Sequence, residues 1–243
     1  MIGLVLAAGA GRRLRPLTDH LPKTLLPVDG QTTILDNAVA NLSAVGLTDV
    51  TIVVGHRADL VRDRVPYLQD EFGARVTLIH NDRADVWNNA YSLWLAREQM
   101  CDGALVVNGD TVHPVTVPKT LLAERGPALL LAVDDAKALG AEEMKVGLAA
   151  SGQVSVLSKT LPPAAAHGEY IGLSLIEPVA APVLADALAV TWSSDPDRYY
   201  EDGYAEFARL GGEVRACSIG PVDWVEVDTP SDLERAREIA CRY

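Results

Sequence analysis

Short apolar runs rich in β-branched residues recur along the chain, most of them without the strict alternation of a half-buried strand. They predict strands at Ile2–Ala7, Val50–Val54, Val76–His80, Ala104–Val107, Ala128–Val133, Tyr170–Ile176 and Trp224–Val227. Between several of these, helical apolar spacing predicts helices over Ile34–Val45, Ala58–Gln69, Asn89–Gln99 and Ser231–Ala240. Strand, helix, strand, with near-continuous apolar strands, implies a mostly parallel sheet covered on both faces. Asp36-Asn37 and Gly46 bracket the helix over Ile34–Val45, and Thr229-Pro230-Ser231 starts the last one with capping chemistry. Lys145–Ala149 and Val154–Ser158, joined across Ala150-Ser151-Gly152-Gln153, pattern as a hairpin inserted in this α/β order. Leu161–His167, with two prolines and three alanines, reads as a mobile connection. No internal repeat or interdomain linker is evident, so a single domain is expected.

Composition changes this picture little, and charge changes it more. Of 243 residues, 49% are hydrophobic, enough for a substantial core. Cys101, Cys217 and Cys241 are scattered and odd in number, which suits a reducing cytoplasm. The run Ile2–Ala8 is too short to span a bilayer and has no basic stretch before it, so a cytoplasmic location is expected. A formal net charge of -12 repels nucleic acid and anionic membranes, and neither is expected as a partner. The same field would repel a nucleotide, yet Met1–Pro27 sets Arg12, Arg13, Arg15 and Lys23 against Asp19 alone. A basic island in an acidic chain points to an anion site.

That island lies in a glycine loop. The first predicted strand runs into Ala8-Gly9-Ala10-Gly11-Arg12-Arg13-Leu14-Arg15-Pro16-Leu17-Thr18. Glycines after a buried strand let backbone N–H groups approach phosphate oxygens, beyond the strand ends where open α/β sheets bind ligands. Gly-x-Gly by itself is equally a tight turn. The dinucleotide fingerprint wants glycine or alanine where Leu14 stands, and a P-loop wants Gly-Lys-Ser/Thr, so neither applies.

The longer pattern is more specific. Leu6-Ala7-Ala8-Gly9-x-Gly11-x-Arg13-Leu14-x-Pro16-Leu17-Thr18, then Pro22-Lys23-x-Leu25-Leu26-Pro27-Val28, closely resembles the signature of the nucleoside-triphosphate transferase family. The resemblance implies a Rossmann-like domain in which Leu6, Ala7, Ala8, Gly9 and Gly11 bind nucleotide. It also implies that Arg13 and Lys23 neutralise the triphosphate and the transferring α-phosphoryl group, as a planar fork and a compact cation can. Arg12 and Arg15 receive no assigned role.

Nucleotidyl transfer needs cations to absorb the charge of leaving pyrophosphate, and Mg²⁺ prefers carboxylates plus phosphate oxygens. Asn108-Gly109-Asp110 ends one strand and Asp228-Thr229-Pro230 ends another, and both resemble the family's elements; the resemblance makes Asp110 and Asp228 the Mg²⁺ ligands. An aspartate in either place also serves as a turn or cap residue. Asp223 is set aside because it precedes the strand, and Glu226 because it faces opposite to its immediate neighbours.

Asn81-Asp82-x-Ala84-Asp85-x-x-Asn88-Asn89-x-Tyr91-Ser92-Leu93 follows a strand and opens a helix. Two adjacent asparagines and a serine exceed what capping needs, and amides can read a base edge or ribose, so Asn81, Asn88 and Ser92 are candidate nucleotide contacts. The segment is similar to the phosphocholine cytidylyltransferase-like branch, which implies CTP. Tyr199-Tyr200-Glu201-Asp202 resembles the region where those enzymes place acceptor-binding side chains, whereas Met144 stands where they carry an aromatic residue. Lys145 beside it would attract a phosphate or phosphonate. Candidate acceptor contacts are therefore Lys145, Glu169, Tyr200 and Glu201, with core packing as the alternative.

The expected function is transfer of CMP from CTP to a small phosphorylated or phosphonylated acceptor. Residues 1–112 would bind nucleotide and 113–228 the acceptor, followed by a helix over 230–241. Rival readings are a uridylyl- or guanylyltransferase acting on a sugar or cyclitol phosphate, and a non-catalytic nucleotide sensor. A homodimer is left open.

Overall fold

The computed structural model describes residues 1–242. Along the chain run β1 (Ile2–Ala7), β2 (Pro27–Asp29), β3 (Thr32–Thr33), α1 (Ile34–Ala44), β4 (Asp49–Val54), α2 (Ala58–Phe72), β5 (Arg75–His80) and α3 (Asn89–Leu95). Then come β6 (Ala104–Asn108), β7 (Thr111–Val112), α4 (Thr116–Ala123), β8 (Leu129–Asp134), β9 (Lys145–Leu148), β10 (Val154–Ser158) and β11 (Gly168–Ile176). The remainder is α5 (Ala181–Ser194), α6 (Tyr200–Arg209), β12 (Val214–Ser218), β13 (Val225–Glu226) and α7 (Pro230–Ala240).

Nine strands form one mixed sheet, ordered β10-β9-β11-β6-β1-β4-β5, with β8 branching from β11 and β12 pairing with β8. The β6-β1-β4-β5 half is parallel, and long β11 runs antiparallel to β6, β8 and β9. The missing alternation has a direct cause: successive residues of β1 enter opposite cores. Val5 and Ala7 pack with Leu35, Leu42 and Val61 from α1 and α2, while Leu4 and Ala8 pack with Leu93, Leu184 and Leu188 from α3 and α5. Both faces are apolar because both are covered. A third core joins Leu14, Leu26 and Val28 to Leu233, Ala236 and Ile239 of α7, fastening the last helix beside the glycine loop.

Several expectations need correction. Thr33, not Asp36, caps α1; Asp36 completes the capping box from three residues within. The helix from Asn89 stops at Leu95 and continues as tight turns through Met100. Pro66 is tolerated inside α2, which extends to Phe72. The segment 161–167 contains a 3₁₀ turn, Pro163–Ala165. Helices α4, α5 and α6 and strand β12 were not anticipated; Pro118, Pro182 and Gly203 break up the patterns that would reveal the helices.

Candidate active site

The site opens where β1, β6 and β13 end. After β1 the chain turns through Gly11, whose φ of 59° is a left-handed conformation that glycine adopts without penalty. A Cβ there would come within 2.8 Å of Lys23 Cβ, so Gly11 also admits the lysine's close approach. Leu14 N–H and the Thr18 hydroxyl both donate to the Gly11 carbonyl and close the loop on itself. At the end of β6, a Cβ on Gly109 would stand 2.7 Å from the Leu6 carbonyl. The Asn-Gly-Asp sequence thus lets residues 108–110 lie against β1 and presents Asp110 beside the loop.

The second carboxylate arrives from the far end of the chain. β13 pairs antiparallel with β7, matching Glu226 with Thr111, and Val227 N–H donates to the Asp110 carbonyl at 2.8 Å. Asp228 therefore comes next to Asp110. Asp232 accepts from the Asp228 and Thr229 N–H groups, and Thr229 caps α7. The capping alternative for Asp228 is thereby filled by its neighbour, and its carboxylate is left to the site.

Lys23 joins the two aspartates. Its ammonium lies 2.8 Å from Asp110 Oδ2 and 2.7 Å from Asp228 Oδ1, while Arg13 donates to Asp228 Oδ2 at 2.6 Å. Burial would lower the Lys23 pKa, but the two carboxylates outweigh it and raise it. Burial likewise pushes Asp228 up, and Lys23 and Arg13 more than reverse this, holding it below the usual carboxylate range.

Glu226 corrects the sequence reading. It does face away from Val225 and Val227, which are buried, but that is the face shared with Asp228 two residues on. Oxygens of Asp110, Glu226 and Asp228 all lie within 4.8 Å of one another. Desolvation by the cleft walls, then the like charge of Asp110 and Asp228, raises the Glu226 pKa. Asp110 Oδ1 is buried without a hydrogen-bond partner. Three hard oxygen donors, one of them orphaned, fit a divalent cation such as Mg²⁺.

A cleft of about 350 Å³ extends from this centre. Leu6, Ala8, Gly9, Gly11, Arg13, Lys23, Asn88 and Ser92 line it, as does Arg12, which also donates to the Asp85 carbonyl. Ala7 is buried behind this wall and contributes backbone continuity. Asn81 is buried too and donates to Ser92 Oγ at 2.9 Å, so it positions the serine instead of lining the cleft. Asn88 caps α3 and donates to the Asp197 carbonyl. Arg15 turns outward to Asp19.

The four acceptor candidates divide. Glu201 lines the cleft; it is 6% exposed, its Oε2 lacks a hydrogen-bond partner, and burial pushes its carboxyl up to about 7. Glu169 lines an adjoining cavity of about 430 Å³. Tyr200 lines neither: it is fully buried, its hydroxyl donating to Asn108 Oδ1 and lying 3.1 Å from the Tyr170 hydroxyl, and its ring meets Tyr170 and Tyr204 edge-on. Lys145 is a further correction. It is 1% exposed and donates to the carbonyls of Ala141, Glu143 and Lys159 at 3.1, 3.0 and 2.7 Å, with nothing left over for an anion. What Lys145 does is fix the backbone of Lys159, whose side chain lines both cavities. Lys159 escaped the sequence reading, and Glu226 was weighed there and set aside. Period-two alternation from Asp228 would have found the glutamate; Lys159, in a turn after β10, carries no comparable signal.

A model of the Nucleotidyl transferase family matches residues 2–125. A choline-phosphate cytidylyltransferase of Streptococcus pneumoniae is 34% identical over 106 residues, 44% of this chain and 43% of its own. A CMP-5'-(3-aminopropyl)phosphonate synthase of Streptomyces rubellomurinus is 27% identical over 96% of this chain. The chain spans 38% of that second relative's length, so both curated proteins are more than twice as long as the part they share with it. In fold, the inositol-1-phosphate CTP transferase from T. maritima superimposes with a TM-score of 0.80, at 21% identity, covering 98% of this chain and 95% of that one. Among the described residues no helix is long and apolar enough to cross a membrane.

Proposed function

Starting from the fact that the chain belongs to the nucleotidyl transferase family, we propose that it transfers CMP from CTP to a small phosphorylated or phosphonylated acceptor. The observation that carries this reading is the meeting of Lys23, Asp110, Glu226 and Asp228 beside the glycine loop. Their number and charge match what a triphosphate and its counter-ion require. CTP is favoured by the segment Asn81–Leu93 and by two relatives, the choline-phosphate cytidylyltransferase and the CMP-phosphonate synthase, while mannose-1-phosphate guanyltransferases are also similar.

The triphosphate lies along the loop of residues 8–13, where Gly9 has open space around it and Arg13 and Lys23 supply positive charge. The base and ribose lie toward Asn88 and Ser92. The acceptor's anionic oxygen attacks the α-phosphorus; that P–O bond forms as the bond to the bridging oxygen breaks, and pyrophosphate leaves with its electron pair. An anionic nucleophile needs no general base, so the chain's part is positioning and charge stabilisation. Mg²⁺ held by Asp110, Asp228 and Glu226 would supply neutralisation of phosphate charge. Lys159, reaching both cavities, is placed to meet the acceptor's phosphate. The nucleotide side corresponds to residues 1–112 and the acceptor side to 113–228.

Pyrophosphate release, measured with each of four nucleotides and a panel of phosphorylated acceptors, tests this. CTP should exceed UTP, GTP and ATP. A preference for UTP or GTP with a sugar or cyclitol phosphate would replace the cytidylyl reading. Nucleotide binding without release under any acceptor would leave a sensor.

A further inference from the structure

The adjoining cavity of about 430 Å³ already contains an ammonium group. Lys137 Nζ lies 2.6 Å from Glu169 Oε2, 3.7 Å from Glu143 Oε1 and 5.3 Å from the centroid of the Trp224 ring. Two carboxylates and an aromatic face around one small cation are the elements that recognise primary and quaternary ammonium ligands.

The two sides of this contact are built differently. The receiving groups are anchored. Glu169 is 5% exposed and sits in the ladder between β8 and β9. Trp224 is 7% exposed, and its Nε1 donates to Asp134 Oδ2 at 2.8 Å, which fixes the ring plane. Lys137 comes from the exposed, irregular segment between β8 and β9, and its side chain is 37% exposed. A buried carboxylate needs a cation. Burial raises the Glu169 pKa even with Lys137 in place, so the site retains demand for positive charge. The cavity also has a wall in common with the reacting centre, since Arg13, Glu226 and Asp228 line both.

We propose that Glu143, Glu169 and Trp224 form a subsite for the ammonium end of a zwitterionic phosphate or phosphonate acceptor, and that Lys137 holds this place until the ligand displaces it. The ligand's anionic end would then lie toward Asp228 and Lys159, in line with its role as nucleophile. The inference rests on the proposed reaction for the direction of the ligand, but the subsite can be tested without turnover.

Calorimetric titration of the intact protein with 2-aminoethylphosphonate, phosphocholine and glycerol 3-phosphate makes the test. Lys137→Ala should tighten both ammonium-bearing ligands about tenfold relative to glycerol 3-phosphate, by removing the internal competitor. Glu169→Gln should weaken both relative to glycerol 3-phosphate. The subsite is refuted if Lys137→Ala shifts all three ligands equally, shifts none, or only lowers the melting temperature, as a structural ion pair would. Lys137→Gln, which keeps length and polarity, should give the same ratio if competition is the cause. Ammonium discrimination that persists where no pyrophosphate is released would leave the subsite standing and overturn the reaction.

Discussion

Lys23, largely enclosed with 12% of its side chain exposed, and Lys145, buried, are both held by oxygen atoms, yet the oxygens differ in kind. Lys23 is held by carboxylates of Asp110 and Asp228, brought together from the ends of β6 and β13. Lys145 is held by three neutral carbonyls around the β9–β10 hairpin. A carboxylate pair can exchange one cation for another, so the Lys23 ammonium can yield to a metal or move to a phosphate. Carbonyls of a folded loop have no such exchange to offer; removing their donor leaves them orphaned. Burial of a lysine therefore says little about function, and the charge of its partners says much.

The sharpest way to break the comparison is at the carboxylates. Asp110→Asn and Asp228→Asn should each reduce pyrophosphate release about 10²–10³-fold with unchanged circular dichroism. Near-normal turnover at limiting Mg²⁺ would take that residue out of the site. Lys23→Met should lose about 10²-fold in turnover. In the absence of nucleotide, however, it should bind Mn²⁺ more tightly than the parent protein, by electron paramagnetic resonance titration, because the internal cation is gone. Weaker Mn²⁺ binding would mean that Lys23 does not occupy the metal's place.

Lys145→Met should act on stability instead, costing about 3 kcal/mol through orphaned carbonyls, with turnover of the folded fraction preserved. A variant with an unchanged melting temperature and a raised acceptor KM would reverse the assignment. Glu201 extends the comparison to a buried carboxyl whose Oε2 has no partner. Its carboxyl is raised from 4.5 to about 7, so its contribution favours folding at low pH and is lost as pH rises through that interval. Thermal melts between pH 4.5 and 7.5 should show this decline, and Glu201→Gln should flatten it; an unchanged slope would count against the shift. At the small end, Arg15→Ala should change stability by less than about 0.5 kcal/mol and turnover negligibly, since its pair with Asp19 is exposed.

What could be read in advance follows the same division. The loop from Leu6 to Thr18, Lys23, and the aspartates after β6 and β13 are local patterns with fixed spacing, and the structure gathers them. The proposed acceptor side is assembled from single residues on separate elements: Glu143, Lys159, Glu169, Glu201 and Trp224 share no motif. There, side-chain chemistry alone misleads. Lys145 and Tyr200 have suitable chemistry but point into the protein, whereas Lys159 and Glu226 are presented by a turn and a two-residue strand. The parallel core was legible because hydrophobic runs report burial on both faces. Helices α5 and α6 were not, because α5 is rich in alanine and valine, and α6 begins among the aromatics and acids of Tyr199–Asp202.

The short pairing of β13 with β7 also dictates an order of events during translation. Arg13 and Asp228 are 215 positions apart, so a ribosome has exposed the whole glycine loop long before Asp228 emerges. Until β13 docks, Asp228 is missing from beside Asp110 and Lys23, and the charge constellation is incomplete. Assembly of the charged site therefore waits for Asp228 to emerge, together with the docking of α7 onto Leu14, Leu26 and Val28.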